Sequence, residues 1–407
     1  LWKEKRFGMF IHWGIYSVTG WHEQYQMHAQ IPKEEYIKLA DKFKPLCFNA
    51  DEIVLLAKEA GMSYICFTAK HHDGFCMWDT KYTDYNIMNT PYKKDILKEL
   101  EQACRRHNIG LSIYYSLPDW HHKNAYNPNS THQLPVPNKG DEPNMQLYIE
   151  YVKNQITELC TNYGEICSLF WDIPPNIYDA SVNQLVRTLQ PHILINNRGY
   201  DEGDFQTPER EIPDGYSFKT PTEACQSVGV QSWGYRKNES YYSKRFLCQS
   251  IDKIMCMGGN YVINVGPDFN GDLPEQAVKL IKGIGKWYQS CKKAFDALPA
   301  TEYISKNDCL YTSDSNNLYI HINHFPVSDS LALDPIDFLP EHAIILNNGE
   351  QAKCYLESLP SLCAEGKNKP KEYLQIRDLP IEKFANEVII IKLSFSRNIL
   401  DYIKKLV

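Results

Sequence analysis

Over its first three quarters the chain alternates short, almost wholly apolar runs with longer stretches of helical periodicity. That alternation restricts the fold more than any other feature. The runs occupy residues 8–11, 64–67, 111–115, 167–171, 193–195 and 261–265. They are too short for buried helices and too uniformly apolar for half-exposed strands, so they read as strands of a parallel sheet covered on both faces. Between them lie amphipathic segments. Residues 144–160 set Leu147, Tyr148, Tyr151, Val152, Ile156 and Leu159 on one face, and residues 276–290 do the same with Leu280, Ile281, Ile284, Trp287 and Tyr288. No G-x-G-x-x-G follows the first run, which removes the main support for a dinucleotide fold. The expected fold class is therefore α/β, a (β/α)8-like TIM barrel.

The pattern changes after about Ala294. Asp296-Ala297-Leu298-Pro299 reads as a linker, and alternating runs at 318–322 and 388–393 read as strands of a small antiparallel β-sandwich. This predicts a catalytic barrel over residues 1–298 and a β-sandwich over 299–407. Residues 121–144, rich in Pro and Asn, read as a long loop above the barrel.

Composition narrows the partners. A net charge of −7 without a Lys/Arg block argues against nucleic acid. No apolar run approaches the roughly 18 residues that a membrane span needs. The 13 cysteines are dispersed, odd in number and without a C-x-x-C, as reduced buried thiols would be, which suggests a cytoplasmic or other reducing compartment. The chain starts at Leu1 rather than Met, as a trimmed sequence would, which leaves room for a leader. Aromatic residues make up 13%, enough to fill a core and still offer stacking surfaces to sugars.

In a barrel the chemistry sits at the C-terminal ends of the strands. His12 and Trp13 follow the first run, Lys70, His71, His72 and Asp73 the second, and Ser116, Asp119 and Trp120 the third. Asp172 follows the fourth, and Asn196, Asn197 and Arg198 the fifth. Asp172, at the end of Ser168-Leu169-Phe170-Trp171, stands out as a carboxylate at the mouth, although a helix cap or an ion pair with Arg198 would also explain it. Glycosidic cleavage with retention needs a second carboxyl about 5–5.5 Å away. Glu209, Glu211 and Glu223 lie in the following segment, and the residues alone do not choose among them. The His71-His72 pair is a poor chelate, because neighbours on a strand point to opposite faces. No metal or cofactor is expected. No G-x-S-x-G supports a serine hydrolase.

Several segments in order carry a resemblance. They are Phe7-Gly8-Met9-Phe10-Ile11-His12-Trp13-Gly14, Tyr16-Ser17-Val18, Ala69-Lys70-His71-His72-Asp73-Gly74-Phe75, Ser232-Trp233-Gly234-Tyr235, Gly258-Gly259-Asn260 and Ile263-Asn264-Val265-Gly266-Pro267. In these the chain resembles the α-L-fucosidases of glycoside hydrolase family 29. The resemblance implies a retaining hydrolase with Asp172 as nucleophile. It implies that fucose is held by His12, Glu23, His71, His72, Tyr115 and Arg198, with Trp233 against its apolar side. The family's Glu-Trp-Tyr stands here as Glu23-Gln24-Tyr25. Glu209 matches the acid/base position of one branch and Glu223 that of another; Glu209 is adopted and Glu223 kept as the alternative. Ile173-Pro174-Pro175 departs from the commoner glycine or methionine stretch after the nucleophile. The implied partner is a fucosylated oligosaccharide or glycoconjugate. Alternatives are an α-L-galactosidase, a transfucosidase, or a fucose-binding protein without catalysis.

Overall fold

The computed structural model describes residues 5–211, 213–299, 307–358, 360, 371–399 and 401; Leu1 and Val407 lie outside that set. Seven strands form one parallel sheet: β1 Phe7–Ile11, β2 Tyr64–Lys70, β3 Gly110–Ser116, β4 Ile166–Asp172, β5 Leu194–Ile195, β6 Glu223–Ser227 and β7 Asn260–Val265. Their order is β5-β4-β3-β2-β1-β7-β6. Residues 205–209 join its two edges, bridging to Asn196 through Phe205 and to Thr222 and Cys225 through Gln206 and Glu209. Here the Asn197 amide donates to the Phe205 carbonyl at 2.9 Å and the Cys225 amide to that of Pro208 at 3.1 Å. The sheet thus curls into a barrel-like body with an irregular final stave.

The helices are α1 Tyr25–His28, α2 Lys33–Tyr36, α3 Ala50–Glu59, α4 Ile96–His107, α5 Met145–Asn162, α6 Ala180–Leu189, α7 Lys244–Cys256 and α8 Glu275–Asp296. Polar side chains start most of the long ones. Asn49, Asp95, Asn144, Asp179 and Ser243 each accept a backbone N–H of the following turn, which satisfies donors no carbonyl can reach. Among the described residues no helix lies between β5 and β6. Leu147 on α5, expected on the buried face, is exposed.

Strand side chains alternate between two environments. Met9, Ile11, Ile65, Phe67, Ile113, Tyr115, Leu169, Trp171, Ile263 and Val265 pack in the large core beneath the helices. Phe10, Tyr64, Cys66, Tyr114, Phe170, Cys225 and Val262 form a separate cluster inside the barrel. This parity decides which groups can reach the mouth.

A second body follows. Leu298–Pro299, expected as linker, form strand β8, paired with β9 Leu310–Asp314. With β10 Asn317–Ile322, β12 His342–Ile345 and β15 Ile389–Ser394 they make a five-stranded antiparallel sheet; β11 Leu331–Ala332, β13 Lys353–Ser358 and β14 Glu372–Arg377 make a three-stranded one. Leu318, Ile320, Leu374, Ile376, Ile391 and Leu393 fill the space between the sheets. The other face of the larger sheet sits on α7 and α8. There the Trp287 indole donates to the Val388 carbonyl at 2.9 Å and His321 meets Asp252 at 2.7 Å.

Candidate active site

The chemistry gathers at the C-terminal ends of the strands. Asp172 ends β4, where Tyr114 of β3 donates to its Oδ2 at 2.6 Å and Arg198 Nη1 to its Oδ1 at 3.0 Å. The same Nη1 lies 2.5 Å from Glu209 Oε2, and Arg198 Nη2 donates to the Thr207 carbonyl. Glu209 is the last bridged residue of the irregular stave, so strand pairing delivers it to this point. One guanidinium nitrogen therefore holds both carboxylates. Their nearest oxygens can be no further apart than those two contacts laid end to end, within the about 5–5.5 Å typical of carboxyl pairs in retaining glycosidases.

The environments push the two acids in opposite directions. Burial disfavours charge on Asp172, yet His72, Arg198 and the Tyr114 hydroxyl bring its carboxyl below the ordinary range. Arg198 is the cause that operates at neutral pH, because burial drives His72 itself down to about 4. Glu209 moves up: burial and the neighbouring charge of Asp172 outweigh the pull of Arg198. Its side chain is 39% exposed, against 12% for that of Asp172.

Two histidines have tautomers fixed by their neighbours. His12 Nδ1 is 2.6 Å from Asn264 Oδ1, while Asn264 Nδ2 donates to Ser227 Oγ and to the Trp233 carbonyl. The acceptor thus faces His12, whose proton belongs on Nδ1. His72 Nδ1 is 2.6 Å from Ser116 Oγ, which already donates to the Pro118 carbonyl. This ring too carries its proton on Nδ1 and keeps Nε2 as an acceptor, 3.8 Å from Asp172 Oδ2. Burial holds His12 and His72 at about 4, and His71 well below its ordinary value. His71 stacks on Tyr114 with ring centroids 5.5 Å apart, and its buried Nδ1 lacks a hydrogen bond among the described residues.

Glu23 is almost wholly enclosed. Its Oε2 accepts from Ser232 Oγ at 2.6 Å, Trp233 N at 3.0 Å and Gly234 N at 3.1 Å, which fixes the turn bearing Trp233. Burial opposes its charge, but His22 and the Ser232 hydroxyl keep its carboxyl below the ordinary range. Trp233 stacks on His12 at 5.2 Å and packs against the aromatic cluster inside the barrel.

Four expectations change. Tyr115 is not in the pocket: it points outward, donating to Gln155 Oε1 at 2.7 Å beneath α5, and its neighbour Tyr114 occupies the inward position. Glu223 opens β6 at the opposite end of the barrel from Asp172, paired with Asn260 and bonded by Tyr64. Glu211 stays exposed beyond the stave. His71 and His72, expected on opposite faces, have ring centroids 4.1 Å apart, because a register shift between Thr68 and Lys70 breaks the alternation just before them. Phe10, Phe170 and Tyr114 escaped the sequence reading, although counting by twos back from His12 and Asp172 finds the first two.

Among the described residues, one group of side chains has metal-like spacing: Asp252, Cys256 and His321, buried between α7 and β10. Its polar atoms are already occupied. His321 bonds Asp252 Oδ1 and Thr312 Oγ1, and Asn323 donates to Asp252 Oδ2 at 2.8 Å. This is a structural network joining the two bodies.

The alpha-L-fucosidase family profile matches residues 1–293. A tissue alpha-L-fucosidase of Rattus norvegicus is 25% identical over 362 residues, covering 79% of this chain and 76% of that one. Alpha-L-fucosidase isoenzyme 1 from Paenibacillus thiaminolyticus superposes with a TM-score of 0.83 at 28% identity, over 96% of this chain and 97% of its own. An alpha-L-fucosidase from Bacteroides thetaiotaomicron, solved as a trapped covalent intermediate with 2-fluoro-fucosyl fluoride, gives a TM-score of 0.77 at 29% identity, over 97% and 95% of the two chains.

Proposed function

We infer that this chain, which belongs to the alpha-L-fucosidase family, divides retaining hydrolysis between Asp172 as nucleophile and Glu209 as acid/base. It is a glycoside hydrolase acting on α-L-fucosides. The observation that carries the pairing is the two contacts from Arg198 Nη1 to both carboxylates, at 3.0 and 2.5 Å, and the opposite directions in which their surroundings push them support the division of roles.

Asp172 is ionised and attacks the anomeric carbon; a C–O bond forms to its carboxylate as the glycosidic bond breaks. Glu209 gives its proton to the departing oxygen. Once Asp172 is esterified, its negative charge is gone. That charge was one cause holding Glu209 up, so Glu209 turns from acid into base, takes a proton from water, and directs the hydroxide to the anomeric carbon. As the new C–O bond forms, the bond to Asp172 breaks, its carboxylate is restored, and fucose leaves with its configuration retained.

The remaining groups hold the sugar. His12 and His72 offer bare Nε2 atoms that accept from ring hydroxyls, and the unbonded Nδ1 of His71 calls for a polar partner of the same kind. Phe10 and Phe170, with Trp233 against them, give the C6 methyl an apolar wall.

Glu209→Ala tests the assignment. Fluoride departs without a proton, so kcat/KM for α-L-fucosyl fluoride, which reports the first step, should be largely kept, while kcat/KM for fucosides with poor leaving groups falls by about 10²–10⁴-fold. Equal losses on both substrates would remove Glu209 from the acid role.

A further inference from the structure

We propose that Lys5 and Cys167 form an oxidative modification site, in which one oxygen atom bridges the lysine nitrogen and the cysteine sulfur at the closed end of the barrel.

Lys5 leads into β1, and Cys167 is the second residue of β4. Both therefore stand at the N-terminal ends of the strands, away from Asp172 at the other end of β4. Lys5 Nζ lies 2.6 Å from Cys167 Sγ. That is too close for a hydrogen bond. N–H···O contacts are about 2.7–3.2 Å, and sulfur is a larger acceptor than oxygen. The distance is also far too long for a direct N–S bond. Two heavy atoms bonded to one shared atom, by contrast, stand about 2.5 Å apart, and slightly further where one of them is sulfur. The separation is that of an N–O–S linkage.

The surroundings are shaped to the same approach. Gly110 opens β3 beside the pair, and a Cβ there would stand 2.5 Å from Sγ and 2.6 Å from Nζ. Its φ is not positive, so the glycine serves space rather than backbone conformation. Cys167 is a free thiol, only partly buried. Glu165 lines the same rim, yet among the described residues the lysine makes no ion pair with it and directs its nitrogen to the sulfur. A cavity of about 40 Å³ adjoins the two, lined also by Tyr64, Ser112, Ser168 and Asn260. It has room for one small molecule, since a water in the liquid occupies about 30 Å³.

The chemistry balances with dioxygen as the oxidant. One N–H bond of the amine, the S–H bond and the O–O bond break, while N–O and O–S bonds form. The two hydrogens leave with the second oxygen as water. Nitrogen and sulfur each give up two electrons, and dioxygen takes all four. Sulfur stops at the sulfenyl level, which thiols reduce. Two molecules of a dithiol return the amine and the thiol and release the bridging oxygen as water. The linked residues are 162 positions apart in sequence. The bridge thus ties the entry of β1 to β4, three strands away in the sheet, and restricts the unfolded chain as a disulfide does.

The test is peptide mass spectrometry on the full chain. One sample is exposed to air and alkylated with iodoacetamide in denaturant without reductant; the other is first treated with dithiothreitol. Air should yield a linked pair carrying Lys5 and Cys167, heavier than the two peptides by one oxygen less two hydrogens. Dithiothreitol should remove that pair and leave Cys167 alkylated. Lys5→Arg and Cys167→Ser should each abolish the link, with aryl α-L-fucoside turnover unchanged, which also reports that the variants are folded. Complete alkylation of Cys167 after prolonged exposure to air would overturn the site. A link lacking the oxygen would be a direct N–S bond and would overturn the bridge. Survival of the same adduct on Cys167 in the Lys5→Arg variant would overturn the pairing.

Discussion

Glu223→Gln separates a buried structural acid from a catalytic one. Glu223 opens β6, 1% exposed, with the Tyr64 hydroxyl on its Oε2. Burial pushes its carboxyl from 4.5 up to about 7, and only the Tyr64 hydrogen bond opposes that. Below pH 4.5 both folded and unfolded chains are protonated there, and the group has no effect on stability. Between pH 4.5 and 7 the unfolded chain ionises while the folded one resists, so stability falls as pH rises. With the carboxyl raised from 4.5 to about 7, the loss above pH 7 is of order 3 kcal/mol, at about 1.4 kcal/mol per pH unit. Glutamine keeps an acceptor for Tyr64 and cannot ionise. Denaturant unfolding across pH 4 to 8 should show the variant gaining on the parent by roughly that amount, with the gain confined to this window. Its turnover of aryl α-L-fucosides should stay near the parental rate. A stability difference that does not change with pH would refute the ionisation argument. A loss of several orders of magnitude in turnover would make Glu223 the acid/base after all.

Two further outcomes follow from the geometry. The pH profile of kcat/KM on an aryl fucoside should be a bell. Its alkaline limb is the loss of the proton from Glu209, which is held above its ordinary range, and its acid limb combines Asp172 with His12 and His72, both near 4. With α-L-fucosyl fluoride the alkaline limb should vanish, and its persistence would contradict the assignment. Ile173, directly after the nucleophile, is buried with φ +62°, where a β-branched residue is strained. Ile173→Gly should therefore be more stable than Ile173→Ala by about 0.5–1 kcal/mol in thermal unfolding, the reverse of the usual order of these residues.

Most of the barrel was legible because parallel strands covered on both faces need uninterrupted apolar runs, and six strands have them. β6 lacks one. Its inward positions carry Glu223, Cys225 and Ser227, so the segment reads as a loop, and its glutamate as a free catalytic candidate. The stave at 205–209 contains Pro208 and pairs irregularly, which hides the structural reason for Glu209's place. The choice of Tyr115 over Tyr114 was an error of one residue in a motif of adjacent tyrosines, and in a strand one residue reverses the direction of the side chain. His71 and His72 share a face only because the register slips before them, and no sequence pattern announces that slip. Leu298–Pro299 read as a linker for want of length, and the structure pairs them with β9.

The central claim is that the side chain at position 172 becomes covalently attached to the sugar. Incubation with 2-deoxy-2-fluoro-α-L-fucosyl fluoride, followed by proteolysis and mass spectrometry, measures this directly. One fluorofucosyl group should appear, on the peptide containing Asp172, and Asp172→Asn should abolish it. A label on any other carboxylate, or complete inactivation with no label on that peptide, would contradict the account.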